Sequence, residues 1–310
     1  MDNPQETEKS NMSWLAGFFD AEGSVSFNYK PCIDIVNTCA RTSFYIKDIL
    51  NKIGIEAGIN KREKPSKSSK KPRWDIFLRH EEQILPFLKY VKPYVKGKKF
   101  QLDLIEDWYN GNKTKDVAKK IQCANQILNK IILVEKKDKV KEKLEIEYLN
   151  FYFDIPVLND EDGFISCINF DDLDYIAGLI DGDGCVNMHY IASKRSKLGR
   201  YTPQVLFINT DKQIITSYCS VLKNNNIGYN VQFRTAGKAT NRRRWDIVVS
   251  GVKRTKNILE LITDKLKTKK EQANLLLQYC ISRLQEPKTI NDYGFECKNA
   301  LEGMKRGEYV

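Results

Sequence analysis

The sequence predicts an α+β protein made of two tandem αββαββα repeats. Each repeat is an antiparallel four-stranded sheet with helices on one face, and the two join at a central two-helix interface. Three observations predict this. First, the phrase WLAGFFDAEGSV (14–25) returns as YIAGLIDGDGCV (175–186). Second, four more pairs recur in the same order: IVNT (35–38) with FINT (207–210), KIGI (52–55) with NIGY (226–229), RWDI (73–76) with RWDI (244–247), and KKFQ (98–101) with KKEQ (269–272). Pairs that keep their order indicate duplication rather than chance. Third, the apolar pattern in each copy switches between a period of two and helical spacing.

Each copy opens on an apolar helix, Trp14 to Ala21 or Tyr175 to Gly182. Ala16, Gly17, Ala177 and Gly178 put small side chains on one turn, so two such helices can approach closely and form the seam between repeats. An ordinary core helix containing small residues is the alternative. A strand follows, in which Ser24, Ser26, Asn28 and Lys30 alternate with Val25, Phe27 and Tyr29. That is the pattern of a half-buried strand, with the second set packed under helices. The next strand ends at Asn37–Thr38 or Asn209–Thr210. A helix with Phe44, Ile46, Ile49, Leu50 and Ile53 at helical spacing comes next. Two further strands follow. In the second of them Trp74, Ile76 and Leu78 share one side, and Arg73, Asp75 and Phe77 the other. Helices EEQILPFLKYV and KKFQLDLIEDW close the unit.

The expected divisions are a disordered N-terminus (1–11), repeat 1 (12–110), a charged helical connector that turns acidic (111–170), repeat 2 (171–285) and a weakly patterned tail (286–310). The second copy is longer early on, within IASKRSKLGRYTPQ.

The 51 Lys and Arg residues outnumber 40 Asp and Glu, for a net charge of +11. The surplus favours a polyanionic partner, nucleic acid or an acidic membrane face. It is unevenly spread, since 151–174 holds seven acids and no Lys or Arg. No stretch of about 18 apolar residues exists to span a membrane. The eight cysteines form no CxxC pair and there are only two histidines, so free thiols in a reducing, intracellular compartment are expected and zinc is not. The polar, acidic start resembles neither a secretory signal nor a transit peptide. An organelle and a prokaryotic cytoplasm are not separated.

The repeated phrases end in Asp20-Ala21-Glu22-Gly23 and Asp181-Gly182-Asp183-Gly184. Glycine stops a helix here. A carboxylate at that end faces the negative pole of the helix dipole, where cations are preferred. If the helices pair, Glu22 and Asp183 also repel each other. Hard divalent cations relieve both penalties, and oxygen ligands of this kind suit Mg²⁺ or Ca²⁺. For Asp20 and Asp181, capping or plain solvation is the alternative. Two carboxylates sharing metals in a basic protein point to phosphodiester hydrolysis.

The windows LAGFFDAEG (Leu15–Gly23) and IAGLIDGDG (Ile176–Gly184) resemble the LAGLIDADG motif of homing endonucleases. Two copies in one chain look like the single-chain, pseudo-symmetric branch, and the resemblance spans both repeats. It implies that the motif helices form the central interface. It further implies that Glu22 and Asp183 bind metal, together with the backbone carbonyls of Ala21 and Gly182. Glu22 departs from the usual Asp but keeps the carboxylate. The family places a basic residue beside the site, for which Lys98, Lys99, Lys269 and Lys270 are candidates. Asn37, Thr38, Asn209 and Thr210 are candidates to order the water shell, with turn chemistry the alternative.

The resemblance also implies that each sheet lies in a DNA major groove, with both strands cut across the minor groove to leave short 3′ overhangs. Base-facing candidates are Ser24, Ser26, Asn28, Lys30, Arg73 and Asp75 in the first copy, and Cys185, Asn187, His189, Arg244 and Asp246 in the second. Arg suits guanine and Asn suits adenine. Lys61, Arg62, Lys64, Lys194, Arg195, Arg200, Arg234, Arg242 and Arg243 are candidates for the DNA face, most of them as phosphate contacts. Because the copies differ at these positions, a long asymmetric duplex target and a monomeric enzyme are expected. Two rivals remain on the same fold: a maturase that binds its intron RNA, and a non-catalytic DNA-binding regulator.

Overall fold

The computed structural model describes residues 4–63, 72–128, 172–192, 199–234, 244–285 and 291–306. The first repeat runs α1 (Pro4–Glu22), β1 (Gly23–Asn28), β2 (Lys30–Asn37), α2 (Ala40–Lys52), β3 (Gly58–Arg62), β4 (Arg73–Leu78), α3 (Glu81–Tyr90), α4 (Lys99–Tyr109) and α5 (Lys115–Leu128). The second runs α6 (Leu173–Gly182), β5 (Cys185–Ile191), β6 (Arg200–Asn209), α7 (Lys212–Asn224), β7 (Asn230–Arg234), β8 (Arg244–Ser250), α8 (Val252–Ile262), α9 (Lys270–Gln285) and α10 (Asn291–Arg306). The sheets are four-stranded and antiparallel, in the orders β1-β2-β4-β3 and β5-β6-β8-β7.

The strand alternation decides which face is buried. Val25, Ile33, Ile76 and Leu78 are buried under helices, while Ser24, Ser26, Arg73 and Arg62 lie toward the open face. Repeat 2 follows the same rule with Val186, Val205, Ile247 and Val249 inside. The buried side chains of both repeats form one continuous core.

Helices α1 and α6 pack on each other at its centre. Trp14, Leu15, Ala16, Phe18 and Phe19, and Tyr175, Ile176, Ala177, Leu179 and Ile180, are all buried, as expected of a helix apolar on every side. Gly17 and Gly178 make the contact possible. A Cβ added at Gly17 would lie 2.0 Å from the Tyr175 carbonyl oxygen, and one at Gly178 would lie 2.0 Å from that of Trp14.

Several expectations need correction. α1 starts at Pro4, within the segment expected to be disordered; Met12 and Ser13 are buried, and Ser13 Oγ donates to Asp172 Oδ2 at 2.6 Å across the seam. Tyr29 does not pack under helices. It forms the β1–β2 turn at φ 61° and is 94% exposed. Phe44 is also exposed, edge-on to the half-buried Trp74, because α2 turns Thr42, Ser43, Ile46, Ile49 and Leu50 inward.

Pairing KIGI with NIGY is out of register by two residues. Gly54 (φ 78°) ends α2 as Asn226 (φ 54°) ends α7, each in the left-handed conformation that Gly and Asn tolerate best. The following Ile55 and Ile227 amides bond back to the Leu50 and Leu222 carbonyls.

The start of the connector belongs to repeat 1, because α5 buries Val117 and Ile121 and packs on α4, β1 and β2. In the tail, α10 buries Cys297 and Leu301 and packs on α9, β5 and β6. Each repeat therefore carries one more helix than expected. Residues 129–171, which include the acidic stretch, lie outside the described residues.

Replacing Gly17 or Gly178 with Ala is expected to destabilise the fold by about 1–3 kcal/mol, the usual cost of overpacking. Chemical denaturation checks this; two unchanged midpoints would mean that the helices do not approach this closely.

Candidate active site at the paired helix ends

Because α1 and α6 cross at their glycines, their C-terminal ends emerge side by side. A Cβ at Gly182 would meet Ala21 Cβ at 2.3 Å and Glu22 Cγ at 3.2 Å, so one helix end touches the other. Glu22 and Asp183 close these ends. Burial and the nearby Asp183 charge push the Glu22 carboxyl above its usual range, against the pull of Lys269 and Lys98. Asp183 opens to solvent on one side, yet burial of its other flank raises it too, again opposed by Lys98 and Lys269. Asn209 Nδ2 lies 3.4 Å from Asp183 Oδ2.

The dipole argument from sequence misses the compensating cations because they come from far along the chain. Lys98 donates to the Phe19 carbonyl at 3.1 Å and to that of Asp20. Lys269 donates to the carbonyls of Ile180, Asp181 and Gly182 at 2.7, 2.6 and 2.9 Å. Each ammonium caps the negative end of its own motif helix. Burial lowers both lysines below their ordinary value, and the surrounding acids resist that shift.

Asp20 and Asp181 are neither solvated nor simple caps; both are 2% exposed. Asp20 accepts the backbone N–H groups of Lys96, Gly97 and Lys98 at 2.8, 3.0 and 2.8 Å, and the Tyr175 hydroxyl at 2.8 Å. Asp181 accepts those of Lys267, Thr268 and Lys269 at 2.6, 3.1 and 2.8 Å, and the Trp14 indole N–H at 2.9 Å. Each aspartate thus fixes the loop that carries a site lysine. Sequence shows their residue type but not these partners, which lie nearly 80 or more positions away.

The other two lysine candidates point elsewhere. Lys99 Nζ is 4.0 Å from Asp103, and Lys270 Nζ is 3.2 Å from the exposed Asp264. Asn37 and Asn209 each accept a backbone N–H two residues on, from Cys39 at 2.6 Å and Asp211 at 2.8 Å, which is turn chemistry. Only Asn209 also touches an acid, through its other side-chain atom. Thr38 is exposed and Thr210 half-buried.

The donor set fits a hard divalent cation: two carboxylates with raised pKa values, the Ala21 and Gly182 carbonyls, and an open flank for water and phosphate oxygens. The Gly182 carbonyl already accepts from Lys269, so it would share that role.

The open sheet faces carry the expected polar residues. Asn28, Lys30, Lys61, Arg62, His189, Arg200 and Arg234 are exposed, and Ser24, Ser26, Arg73, Asn187 and Arg244 half-exposed. Asp75 and Asp246, expected to face bases, are buried instead. Asp75 is flanked by Arg62 and Arg73, and Asp246 by Arg234 and Arg244. Arg73 Nε at 3.1 Å and Arg244 Nε at 3.0 Å are close enough for charge pairing but not aligned for hydrogen bonds. These aspartates hold pairs of arginines on the open sheet faces. Sequence reasoning missed Asp34, which pairs with Arg79 in the recess lined by Asn60, Asp75 and Phe77. Lys64, Lys194, Arg195, Arg242 and Arg243 lie outside the described residues.

Residues 10–92 match the family model of the LAGLIDADG-like domain. The first repeat is a LAGLIDADG-like domain. Solved structures extend the LAGLIDADG fold to both repeats. The I-SmaMI LAGLIDADG homing endonuclease bound to cleaved DNA is 14% identical with a TM-score of 0.62, over 96% of this chain and 98% of that one. I-LtrWI bound to target DNA is 16% identical with a TM-score of 0.60, over 96% and 97%. I-GzeII in complex with its DNA target is 15% identical with a TM-score of 0.59, over 94% and 97%. A comparison with curated protein sequences finds no match. Among the described residues, no helix of this LAGLIDADG fold is long and apolar enough to cross a membrane.

A carboxyl whose pKa is raised on folding opposes folding once it ionises. The stability linked to its proton is fully present below the unfolded pKa and is lost as pH rises through the raised value. Without metal, Glu22→Gln is therefore expected to melt above the wild type at pH 7, with the gap closing below about pH 4, where Glu22 is protonated in both states. Calorimetry across this range checks the sign.

Proposed function

We propose that this protein is a site-specific double-strand DNA endonuclease of the homing type. The convergence of Glu22 and Asp183 at paired helix ends, beside two buried lysines, carries the reading. Carboxylates held above their ordinary pKa despite the pull of Lys98 and Lys269, and without a salt bridge among the described residues, make a site that favours a divalent ion. The similar structures support the reading: I-SmaMI, I-LtrWI and I-GzeII are homing endonucleases seen with DNA, and I-SmaMI is also known with uncleaved target in the presence of calcium ions.

In this reading Glu22 and Asp183 hold Mg²⁺, aided by the carbonyls of Ala21 and Gly182, and Ca²⁺ occupies the same place without supporting cleavage. The cation supplies Lewis-acid charge at the phosphodiester and makes a water nucleophilic at neutral pH. Asn209, beside Asp183, orients water at the open flank. Lys98 and Lys269 place positive charge where the phosphates come between the helix ends. The two sheets lie in successive major grooves, and Arg62, Arg73, Arg234 and Arg244 are held by aspartates for guanine or phosphate. The acids meet the scissile phosphates across the minor groove, leaving short 3′ overhangs. The open faces of the two repeats differ, with Asn28 opposite Lys30 in one and His189 opposite Thr202 in the other, so the target is long and asymmetric and one chain suffices.

Incubating a randomised duplex library with Mg²⁺ is expected to yield a cleaved subset carrying one extended, non-palindromic site. Glu22→Gln and Asp183→Asn should each abolish double-strand cleavage, and divalent ions should raise the wild-type melting temperature but not theirs. Normal cutting by either variant would overturn the assignment. Lys98→Met and Lys269→Met should each slow cleavage by about a hundredfold, the scale of losing one electrostatic donor. Lys99→Ala and Lys270→Ala should leave single-turnover rates close to wild type.

A further inference from the structure

The two loops that present Lys98 and Lys269 are each held by an aspartate of their own repeat, and each aspartate takes its fourth hydrogen bond from the other repeat. Tyr175, the first letter of the second repeated phrase, donates its hydroxyl proton to Asp20 Oδ2 at 2.8 Å. Trp14, the first letter of the first phrase, donates its indole N–H to Asp181 Oδ2 at 2.9 Å. Both aromatic side chains are buried. The loops also lean on the opposite repeat. A Cβ at Gly97 would lie 2.3 Å from Ile214 Cδ1 of α7. Thr268 Oγ1 lies 2.8 Å from Thr42 Oγ1 of α2, and Arg41 donates to the Lys267 carbonyl at 3.3 Å.

We infer that Tyr175 and Trp14 are crossed positioning residues, each bracing the lysine loop of the opposite repeat so that neither half holds its lysine without the other. The inference rests on the endonuclease reading for its catalytic consequence but not for its geometry. Four donors converge on each buried carboxylate, and removing the crossed donor leaves that carboxylate one hydrogen bond short in a dry site. The two braces differ chemically. A hydroxyl braces the Lys98 loop and an indole braces the Lys269 loop, so the two sides can be loosened separately. Neither Tyr175 nor Trp14 reaches the open flank where phosphate would sit.

The test is amide hydrogen exchange on the full chain, followed by strand-resolved cleavage. Tyr175→Phe keeps the ring and removes only the hydroxyl. It is expected to speed exchange about tenfold at the amides of Lys96, Gly97 and Lys98 while leaving those of Lys267, Thr268 and Lys269 unchanged. Trp14→Phe is expected to do the reverse. On a target selected by the wild-type enzyme, Tyr175→Phe should slow cutting of one strand several-fold and accumulate a nicked duplex, with target affinity in Ca²⁺ unchanged. Trp14→Phe should favour the other nick. Exchange that stays at wild-type rates, or that rises equally in both loops, overturns the crossed brace, as does equal slowing of both strands. Loop-specific exchange in the two variants, together with a wild-type chain that cuts no library member, would keep the brace and remove the endonuclease reading.

Discussion

The backbone contact between α1 and α6 at Gly17 and Gly178 is the constraint on which the rest depends. Without side chains at these two points, the Trp14 and Tyr175 carbonyls come to within a bond's reach of where a Cβ would be. That proximity makes one core of two repeats. It also delivers two helix C-termini, with their unpaired carbonyls and negative dipole ends, to a single spot. An acid on each end is unfavourable there by every local rule, and the structure answers with groups brought from a distance rather than by moving the acids away.

The answer is layered. Lys98 and Lys269 satisfy the helix-end carbonyls, and Asp20 and Asp181 hold the loops that carry those lysines. The result is a compact cluster in which carboxylates are held high and ammoniums low by the same burial, each charge partly offset by the others. Glu22 and Asp183 alone keep no direct lysine contact among the described hydrogen bonds. Their residual repulsion is what the proposed divalent cation would relieve. Under the proposed function, local stability is traded for chemistry at this point.

Above the cluster, the sheets present arginines held by buried aspartates. The Asp75 and Asp246 carboxylates sit at matching positions, each between two arginines that pair across neighbouring strands. A guanidinium held this way loses less side-chain entropy when it engages a guanine or a phosphate. Asp34 with Arg79 adds a third such pair in repeat 1.

The sequence by itself determined the duplication, the two-sheet architecture, the helix seam and the pair of acids, because each is written in local pattern. Gly17 and Gly178 sit at matching places in a repeated phrase, Val25 alternates with Ser24 and Ser26, and Glu22 and Asp183 each precede a terminating glycine. The tertiary structure alone decided which of four candidate lysines serve the site, because Lys98 and Lys99 are neighbours in sequence and only the loop held by Asp20 turns one of them inward. It also decided that Asp75 holds arginines rather than facing bases, since one of its two partners, Arg62, lies on another strand, and that Asn226 rather than Gly228 answers Gly54, since a left-handed helix end accepts either residue type. That α5 and α10 are counterparts within the repeats was not legible for a related reason. Both lie outside the recurring phrases, and only packing against equivalent strands makes them counterparts.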